Sequence, residues 1–502
     1  MLLAEIVATS GRVASTRSRT AKVAALAELF TRLEPEEVEI AVALATGELR
    51  QGKIGVGWAT VFGLDVPAAG EPAMSVLALD AFVAQIAALA GAGSAAARQE
   101  SLARLLSQAT ADEQEFVRRL LIGELRQGAL AGVVTDAVAR AAVVPLDVVR
   151  RAVMLAGNLP RVAAAALSGG EPALSVIGLE VLRPVLPMLA STSADARAAI
   201  EAVGRSSVEW KLDGARVQAH RAGAVVRLFT RNLNDVTDRL PGVAAIVSAL
   251  PVASVVLDGE VLGVDDDERP DRFQDTMSRF GSHDGTGSTL TAAFFDCLHL
   301  DGIDLVDRPL TERIEALETA AGPWRVRSIL TDDGDEAQEF LAAALAAGHE
   351  GVMVKAASST YQAGRRGQEW RKVKPVRTLD LVVLAAEWGH GRRRGWLSNI
   401  HLGARDPGDP TRFIMVGKTF KGLTDELLTW QTARFQELAT DRTDHVVTIR
   451  PELVVEIALD GVQASTRYPG GAALRFARVR RYRPDKVAAE ADTIDDVRAL
   501  LT

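Results

Sequence analysis

Lys211-Leu212-Asp213-Gly214 follows the extended run Val208-Glu209-Trp210 and offers an amine that can attack phosphorus. Such an amine is a nucleophile only when neutral, a state that neighbouring cations favour. Alone, a tetrapeptide with one free position recurs by chance in a chain of 502 residues. Three further segments give it company. Glu260 closes Val255-Val256-Leu257-Asp258-Gly259-Glu260, and Glu350 opens Glu350-Gly351-Val352-Met353-Val354-Lys355. Trp370-Arg371-Lys372-Val373-Lys374 alternates, which would put Lys372 and Lys374 on one face of a strand. Together these residue types suit phosphoryl transfer. Two glutamates can hold Mg²⁺, a hard cation that prefers oxygen ligands. Two lysines can neutralise phosphate oxygens and help activate Lys211. Each glutamate or lysine by itself also reads as a solvated strand end or face; their joint occurrence is what points to chemistry.

Lysine usage sharpens the choice of Lys211. Of the 57 basic residues only nine are lysine, at positions 22, 53, 211, 355, 372, 374, 418, 421 and 486; the other 48 are arginine. Arginine never gives up its proton in a protein and cannot serve as a nucleophile. Lysines kept in such a chain are either chance survivors or sites whose chemistry arginine cannot supply.

The elements that must position these residues fall into three regions. Residues 1 to about 190 are Ala/Leu/Val-rich with helical periodicity, as in Val23 to Leu33 and Leu79 to Leu89. Here Gly47-Glu48-Leu49-Arg50-Gln51-Gly52 recurs as Gly123-Glu124-Leu125-Arg126-Gln127-Gly128, which suggests two related helical halves. Each glycine after Arg-Gln is expected to end a helix. Two such turns are either bare caps or a pair of phosphate contacts along a duplex. Ser191 to Ala199 is small and polar and reads as a linker. Beyond it the period becomes that of short strands: Val208–Lys211, Arg216–His220, Val225–Thr230, Val255–Val264 and Ala293–Leu300. A helix over Glu336–Ala347 leads into a strand at Gly351–Lys355, so this middle region is α+β. After Pro375 the runs Leu379–Ala385, Ile400–Gly403, Arg412–Val416, Val446–Ile449 and Val454–Ala458 fit a small β-barrel.

Composition sets the outer limits. Hydrophobic residues make up 48% and charged residues 24%, an ordinary globular balance for a chain of about three domains. No stretch of about 18 uncharged apolar residues occurs, so no membrane span is expected. The start, Met1-Leu2-Leu3-Ala4-Glu5, lacks the basic and apolar regions of a secretory signal. The single cysteine, Cys297, excludes an internal disulfide and a cysteine zinc site and points to a reducing, cytoplasmic setting; a small buried residue is its expected role. The net charge of −8 does not argue against a nucleic-acid partner, because phosphate binding needs only a local basic stripe. Residues 365–374 carry +4 and residues 471–486 carry +5.

The order of these motifs resembles the covalent nucleotidyltransferase superfamily, specifically the ATP-dependent DNA ligases of bacterial and archaeal type. The resemblance runs from Gln51-Gly52-Lys53-Ile54-Gly55 to Arg483-Pro484-Asp485-Lys486. It implies an all-α DNA-binding domain over 1–190, an α+β nucleotidyltransferase (adenylation) domain over 200–375, and an OB-fold β-barrel over 376–502. It implies that Lys211 becomes adenylated and that Glu209 reads the adenine amino group. Arg216 and Arg231 would touch ribose and phosphates, and Glu260 would hold the ribose or metal. Phe295 would stack on adenine, Glu350 would bind metal, and Lys372 and Lys374 would contact the α-phosphate. Arg366 and Arg483 join the nucleotide-binding set, with Asp485 and Lys486 acting in adenylation from a domain that swings over the nucleotide. The implied cofactors are ATP as AMP donor and Mg²⁺ or Mn²⁺. The implied partner is nicked duplex DNA, bound by a monomer in the cytoplasm at the nucleoid. In this light the repeated turns read as minor-groove phosphate contacts; the run Gly391-Arg392-Arg393-Arg394-Gly395 is either a further contact or a solvated loop. Seven of the nine lysines fall in such motif segments. An mRNA-capping guanylyltransferase or an RNA ligase would not need the repeated helical region. An NAD-dependent ligase would carry a four-cysteine zinc finger, and a catalytically dead scaffold would not need Lys211 with both glutamates.

Overall fold

The computed structural model describes residues 1–52, 54–125, 131–263, 290–363 and 366–501, with the backbone alone at Arg366 and Pro410. These residues form two compact units: 1–262, 290–344 and 352–372 in the first; 263, 345–351 and 373–501 in the second. Among the described residues no helix is long and apolar enough to cross a membrane.

Among the described residues the first unit opens with ten α-helices, from Leu3–Ser15 to Leu159–Ser175. Their spacing and caps explain them. Helix Val76–Ala88 is capped by the Ser75 side chain and buries Val76, Leu79, Val83 and Ile86 along one stripe. Helix Ala111–Leu121 starts with a Thr110/Glu113 capping box and buries Phe116, Val117 and Leu120. Helix Val38–Thr46 is apolar nearly all round and is buried accordingly.

In its first copy the hexapeptide behaves differently from expectation. Its first glycine ends the helix: Gly47 is the C-cap of Val38–Thr46 with φ 80°, and Gly123, with φ 70°, follows helix Ala111–Leu121. The left-handed conformation that closes a helix costs glycine nothing, and in each copy it falls ahead of the Arg-Gln pair. Gly52 adopts φ 67° in the next turn, whereas Arg126, Gln127 and Gly128 lie outside the described residues, as does Lys53. The two copies meet: a Cβ on Gly47 would lie 3.6 Å from Leu125 Cβ.

Ser191 to Ala199 is not a linker. Leu189–Thr192 is a strand, β1, and Ala196–Val203 is a helix capped by Asp195 that buries Ala196, Ala199 and Ile200. Small polar composition concealed both an N-cap and a strand whose partner lies about 180 residues away, with Thr192 opposite Lys372. The following strands are β2 (Ser206–Lys211), β3 (Ala215–Ala222), β4 (Val225–Thr230), β5 (Ser254–Gly263), β6 (Leu290–Leu300), β7 (Ile303–Asp304), β8 (Ser328–Thr331), β9 (Gly351–Ala356) and β10 (Arg366–Val373). They make two five-stranded sheets, ordered β1-β10-β9-β2-β8 and β4-β3-β5-β6-β7. Helix Leu146–Ala156 joins them through a shared core in which Met154 and Leu155 pack with Met188, Val256, Leu298, Tyr361 and Trp370.

The second unit is built on β11 (Arg377–Trp388), β12 (Leu397–Asp406), β13 (Asp409–Thr419), β14 (Ala439–Arg442), β15 (Val446–Ile449), β16 (Val454–Leu459), β17 (Gly461–Ala464), β18 (Ala472–Arg475) and β19 (Arg478–Tyr482), with helix Asp425–Glu437. Along one edge β11 pairs with β12. Along the other it pairs first with β16, over Arg377–Val382, and then with β15, over Ala385–Glu387. One long strand serving two partners curls the sheet around a core that includes Leu381, Val383, Leu402, Phe435 and Ile457.

Candidate active site

Strand alternation places Ser207, Glu209 and Lys211 on one face of β2. The turn after Lys211 lies hard against β5: a Cβ on Gly214 would meet the Val261 carbonyl oxygen at 2.3 Å and Glu260 Cγ at 2.9 Å. That contact gives the final glycine of the Lys-x-Asp-Gly motif its physical reason. In the β3–β5 ladder Arg216 stands directly opposite Glu260, so the two share a face. Arg231 follows the last residue of β4, Phe295 lies on β6, and Lys372 is next to last in β10. Glu209, Lys211, Arg216, Arg231, Glu260, Phe295 and Lys372 all line one cavity of about 280 Å³, with Lys355 and Trp370. A second cavity, of about 340 Å³ between helix Leu146–Ala156 and Thr360–Ala363, is lined by none of the predicted residues.

The charges in the cavity are arranged by burial and pairing. Arg216 donates from Nε and Nη2 to the two carboxylate oxygens of Asp258, at 3.0 and 2.6 Å, and from Nη1 to the Met188 carbonyl at 2.7 Å. Burial disfavours its charge, but Asp258 more than offsets that and holds the guanidinium ionised. Asp258 also accepts from the Tyr361 hydroxyl at 2.7 Å, and that hydroxyl in turn accepts from the Met188 N–H at 3.1 Å. Glu260 is less well compensated. Burial pushes its carboxyl up to about 7, against the pull of Lys211 and Arg216. Glu209 is 3% exposed and faces Lys355 Nζ at 2.6 Å and the Ser207 hydroxyl at 3.0 Å.

Among the described residues the lining of the cavity does not include the other expected members. β10 ends at Val373, because Pro375 has no N–H to extend the ladder, so Lys374 does not share a strand face with Lys372. In the second unit Lys374 Nζ sits 2.9 Å from Asp460 and 3.5 Å from Glu350, which precedes the first residue of β9. Arg483 binds Asp380 at 2.8 Å and Asp485 at 2.6 Å, and Lys486 binds Asp380 at 2.7 Å. Arg366 begins β10, and its side chain lies outside the described residues. Asp258, Tyr361 and Trp370 join the site without having been among the expected residues. A charged residue directly after the apolar run Val255–Leu257 is the one available signal for Asp258; Tyr361, in a coil segment, has none.

Comparison with known proteins agrees with this geometry. Three family models match: "ATP dependent DNA ligase domain" over residues 187–374, "ATP dependent DNA ligase C terminal region" over 393–486, and "DNA ligase N terminus" over 66–139. The chain is 57% identical to a "Probable DNA ligase" of Rhodococcus jostii (strain RHA1), over 100% of both chains. It belongs to the ATP-dependent DNA ligase family. A second family member, a "Probable DNA ligase" of Saccharopolyspora erythraea, is 58% identical over 99% of this chain and 98% of that one. Among solved structures, "Pmar-Lig_PreS3" shares the fold with a TM-score of 0.63 at 19% identity, covering 95% of this chain and 99% of its own. The ligase model over residues 187–374 spans every residue of the 280 Å³ cavity.

Proposed function

We propose that this ATP-dependent ligase seals 5′-phosphate/3′-hydroxyl nicks in duplex DNA by way of an AMP carried on Lys211. The observation that carries the reading is the single cavity in which Lys211 meets Glu209, Arg216, Arg231, Glu260, Phe295 and Lys372. Lys211 Nζ attacks the α-phosphorus of ATP, forming a phosphoramide bond as pyrophosphate leaves. The AMP then passes to the nick 5′-phosphate, and the adjacent 3′-hydroxyl displaces it. Glu209 and Phe295 hold the base, Arg216 and Arg231 the ribose and phosphates, and Lys372 the α-phosphate as its charge develops.

Mg²⁺ fits the donor set. A buried carboxyl poised near 7, as in Glu260, is one that a divalent cation would keep ionised. Among the described residues no group of three or more His, Cys, Asp or Glu side chains converges. One carboxylate completed by phosphate oxygens and water is within what Mg²⁺ takes, so Glu260 is its proposed ligand in the cavity, and Glu350 is proposed as a ligand on the family resemblance alone. When bound, Mg²⁺ would neutralise phosphate charge. Lys374, Arg366 and Arg483 belong to the same proposal as further nucleotide contacts. The finer architecture proposed is a helical DNA-binding domain (1–190), an adenylation domain (200–375) and an OB-fold (376–502). It is proposed to act as a monomer at the cytoplasmic nucleoid. The curled sheet of the second unit supports the OB-fold.

The test is to incubate the protein with labelled ATP or GTP and Mg²⁺ and resolve it under denaturing conditions. An acid-labile adduct with ATP that is lost in Lys211→Ala is expected. No adduct, or one that survives in Lys211→Ala, sinks the reading. Preference for nicks with an RNA 5′-phosphate strand would refute the DNA substrate.

A further inference from the structure

Burial raises the proton affinity of Glu209 above the ordinary carboxylate range, and Lys355 is the largest influence opposing it. Asp296 adds to the rise, whereas the Ser207 hydroxyl, donating to Glu209 Oε1 at 3.0 Å, favours the carboxylate. Two cations oppose the rise. Lys355 Nζ stands 2.6 Å from Glu209 Oε2, and Arg313, itself paired with Asp296 at 2.7 Å, acts from farther off. Lys355 is 1% exposed and is fixed on every side. It donates to the Phe295 carbonyl at 3.2 Å, and its ammonium lies 4.4 Å from the Phe295 ring centroid and 4.3 Å from that of Trp370. Its compact charge therefore sits against both the carboxylate and the ring that line the same cavity, in a chain that uses lysine only nine times.

The protonation state of Glu209 decides what it can recognise. A carboxylate only accepts hydrogen bonds, whereas a carboxylic acid can also donate one. Adenine presents an amino donor at its six position, where guanine and hypoxanthine present a carbonyl acceptor. We infer that Lys355 is a specificity-determining positioning residue, holding Glu209 as an acceptor-only carboxylate so that the cavity takes a purine nucleotide with a six-amino group and rejects one with a six-carbonyl. The inference rests on the proposed base-reading role of Glu209. Removing Lys355 takes away the largest influence on the side of the carboxylate, so the acid form, which accepts either purine, gains ground. Raising the pH restores the carboxylate and with it the discrimination.

The experiment measures lysyl-nucleotide adduct formation by the full chain with ATP, GTP and ITP between pH 6 and 9. Wild type is expected to prefer ATP by a ratio that stays flat across the range. In Lys355→Met the ratio is expected to fall at least about ten-fold at pH 7 and to climb back toward pH 9. In Glu209→Gln it is expected to fall at every pH. A wild-type ratio that collapses between pH 6 and 8, or a Lys355→Met ratio that stays at the wild-type value while Glu209→Gln loses it, overturns the role of Lys355. A Glu209→Gln ratio equal to wild type overturns the base-reading role beneath it. Should Lys355→Met fail to fold, because the buried carboxyl has lost its partner, the double variant Glu209→Gln/Lys355→Met carries no stranded charge. Its ratio should equal that of Glu209→Gln alone, and a further change would count against the coupling.

Discussion

Asp258 and the Met188 carbonyl take three of the Arg216 guanidinium N–H groups, which fixes where its charge lies in the cavity. Fixed charges aimed at developing phosphate charge lower a phosphoryl-transfer barrier, so under the proposed role of Arg216 the groups that hold it matter nearly as much as Arg216. Tyr361→Phe removes the hydroxyl that bridges Asp258 and the Met188 N–H. It is expected to lower stability by about 1 kcal/mol, read from denaturant unfolding, and to reduce kcat/KM for lysyl-AMP formation by up to about ten-fold. Asp258→Asn strips the charge from a buried pair, and a loss of about 3–5 kcal/mol is expected in the same unfolding measurement. At this scale the sequence was legible where a residue type had few alternative uses. Lys211, Glu209, Glu260, Phe295 and Lys372 do converge on one cavity. Tyr361 was invisible because its value comes from a partner 103 positions away, and Lys374 misled because alternation was extended one residue too far toward a proline.

Elements carry the same lesson through their neighbours. Gly214 is needed because β2 turns into β3 against the carbonyl of Val261. Gly214→Ala should displace the Lys211 turn, cutting adduct formation by at least about ten-fold at a stability cost of about 1–3 kcal/mol, measured side by side. Farther along β3, alternation continues the Arg216 face with Gln218 and His220, which strap the chain entering the sheets. The Leu182 N–H donates to His220 Nδ1 at 3.1 Å, and the Val185 N–H donates to Gln218 Oε1 at 2.8 Å. His220 Nε2 lies 2.9 Å from Gln218 Oε1, so Nε2 carries the ring proton and the imidazole is neutral. Burial, with His299 nearby, pushes its pKa down to about 3. An unfolded chain then binds a proton that the fold refuses, so this contribution is full above about 6.5 and is lost as pH falls toward 3. His220→Gln should flatten part of the fall in unfolding free energy between pH 6.5 and 4; an unchanged slope would count against the neutral strap. Period and caps made most helices and strands readable. The Ser191–Ala199 segment was not readable, because β1 exists only through its distant partner β10.

The whole molecule joins an acidic total to local basic surface. With a net charge of −8 it cannot bind DNA through its average field, so attraction must come from particular arginines. In the run after His390, Arg392 is paired with Asp425, and Arg393 reaches the Phe420 carbonyl; Arg394 is exposed with no ion pair among the described residues. On β19, Arg480 and Arg481 share Glu456, while Arg478 is exposed with no ion pair among the described residues. Arg394→Ala and Arg478→Ala should each reduce the log–log salt dependence of nicked-duplex binding by about 0.9 if each residue neutralises one phosphate. The middle and C-terminal regions were legible as sheet-rich in the sequence, and the division of 345–351 from the strand it leads into was not, since that grouping depends on packing. The proposed reaction turns on the transfer of one AMP, and the most direct measurement follows that group. Protein loaded with labelled AMP and freed of ATP is mixed with nicked duplex DNA, and the label is tracked. The account predicts that label leaves Lys211, appears on the nick 5′-phosphate and is released as AMP as the strand is sealed, with none of these events in Lys211→Ala. Sealing by Lys211→Ala, or a label that never leaves the wild-type protein for DNA, would contradict it.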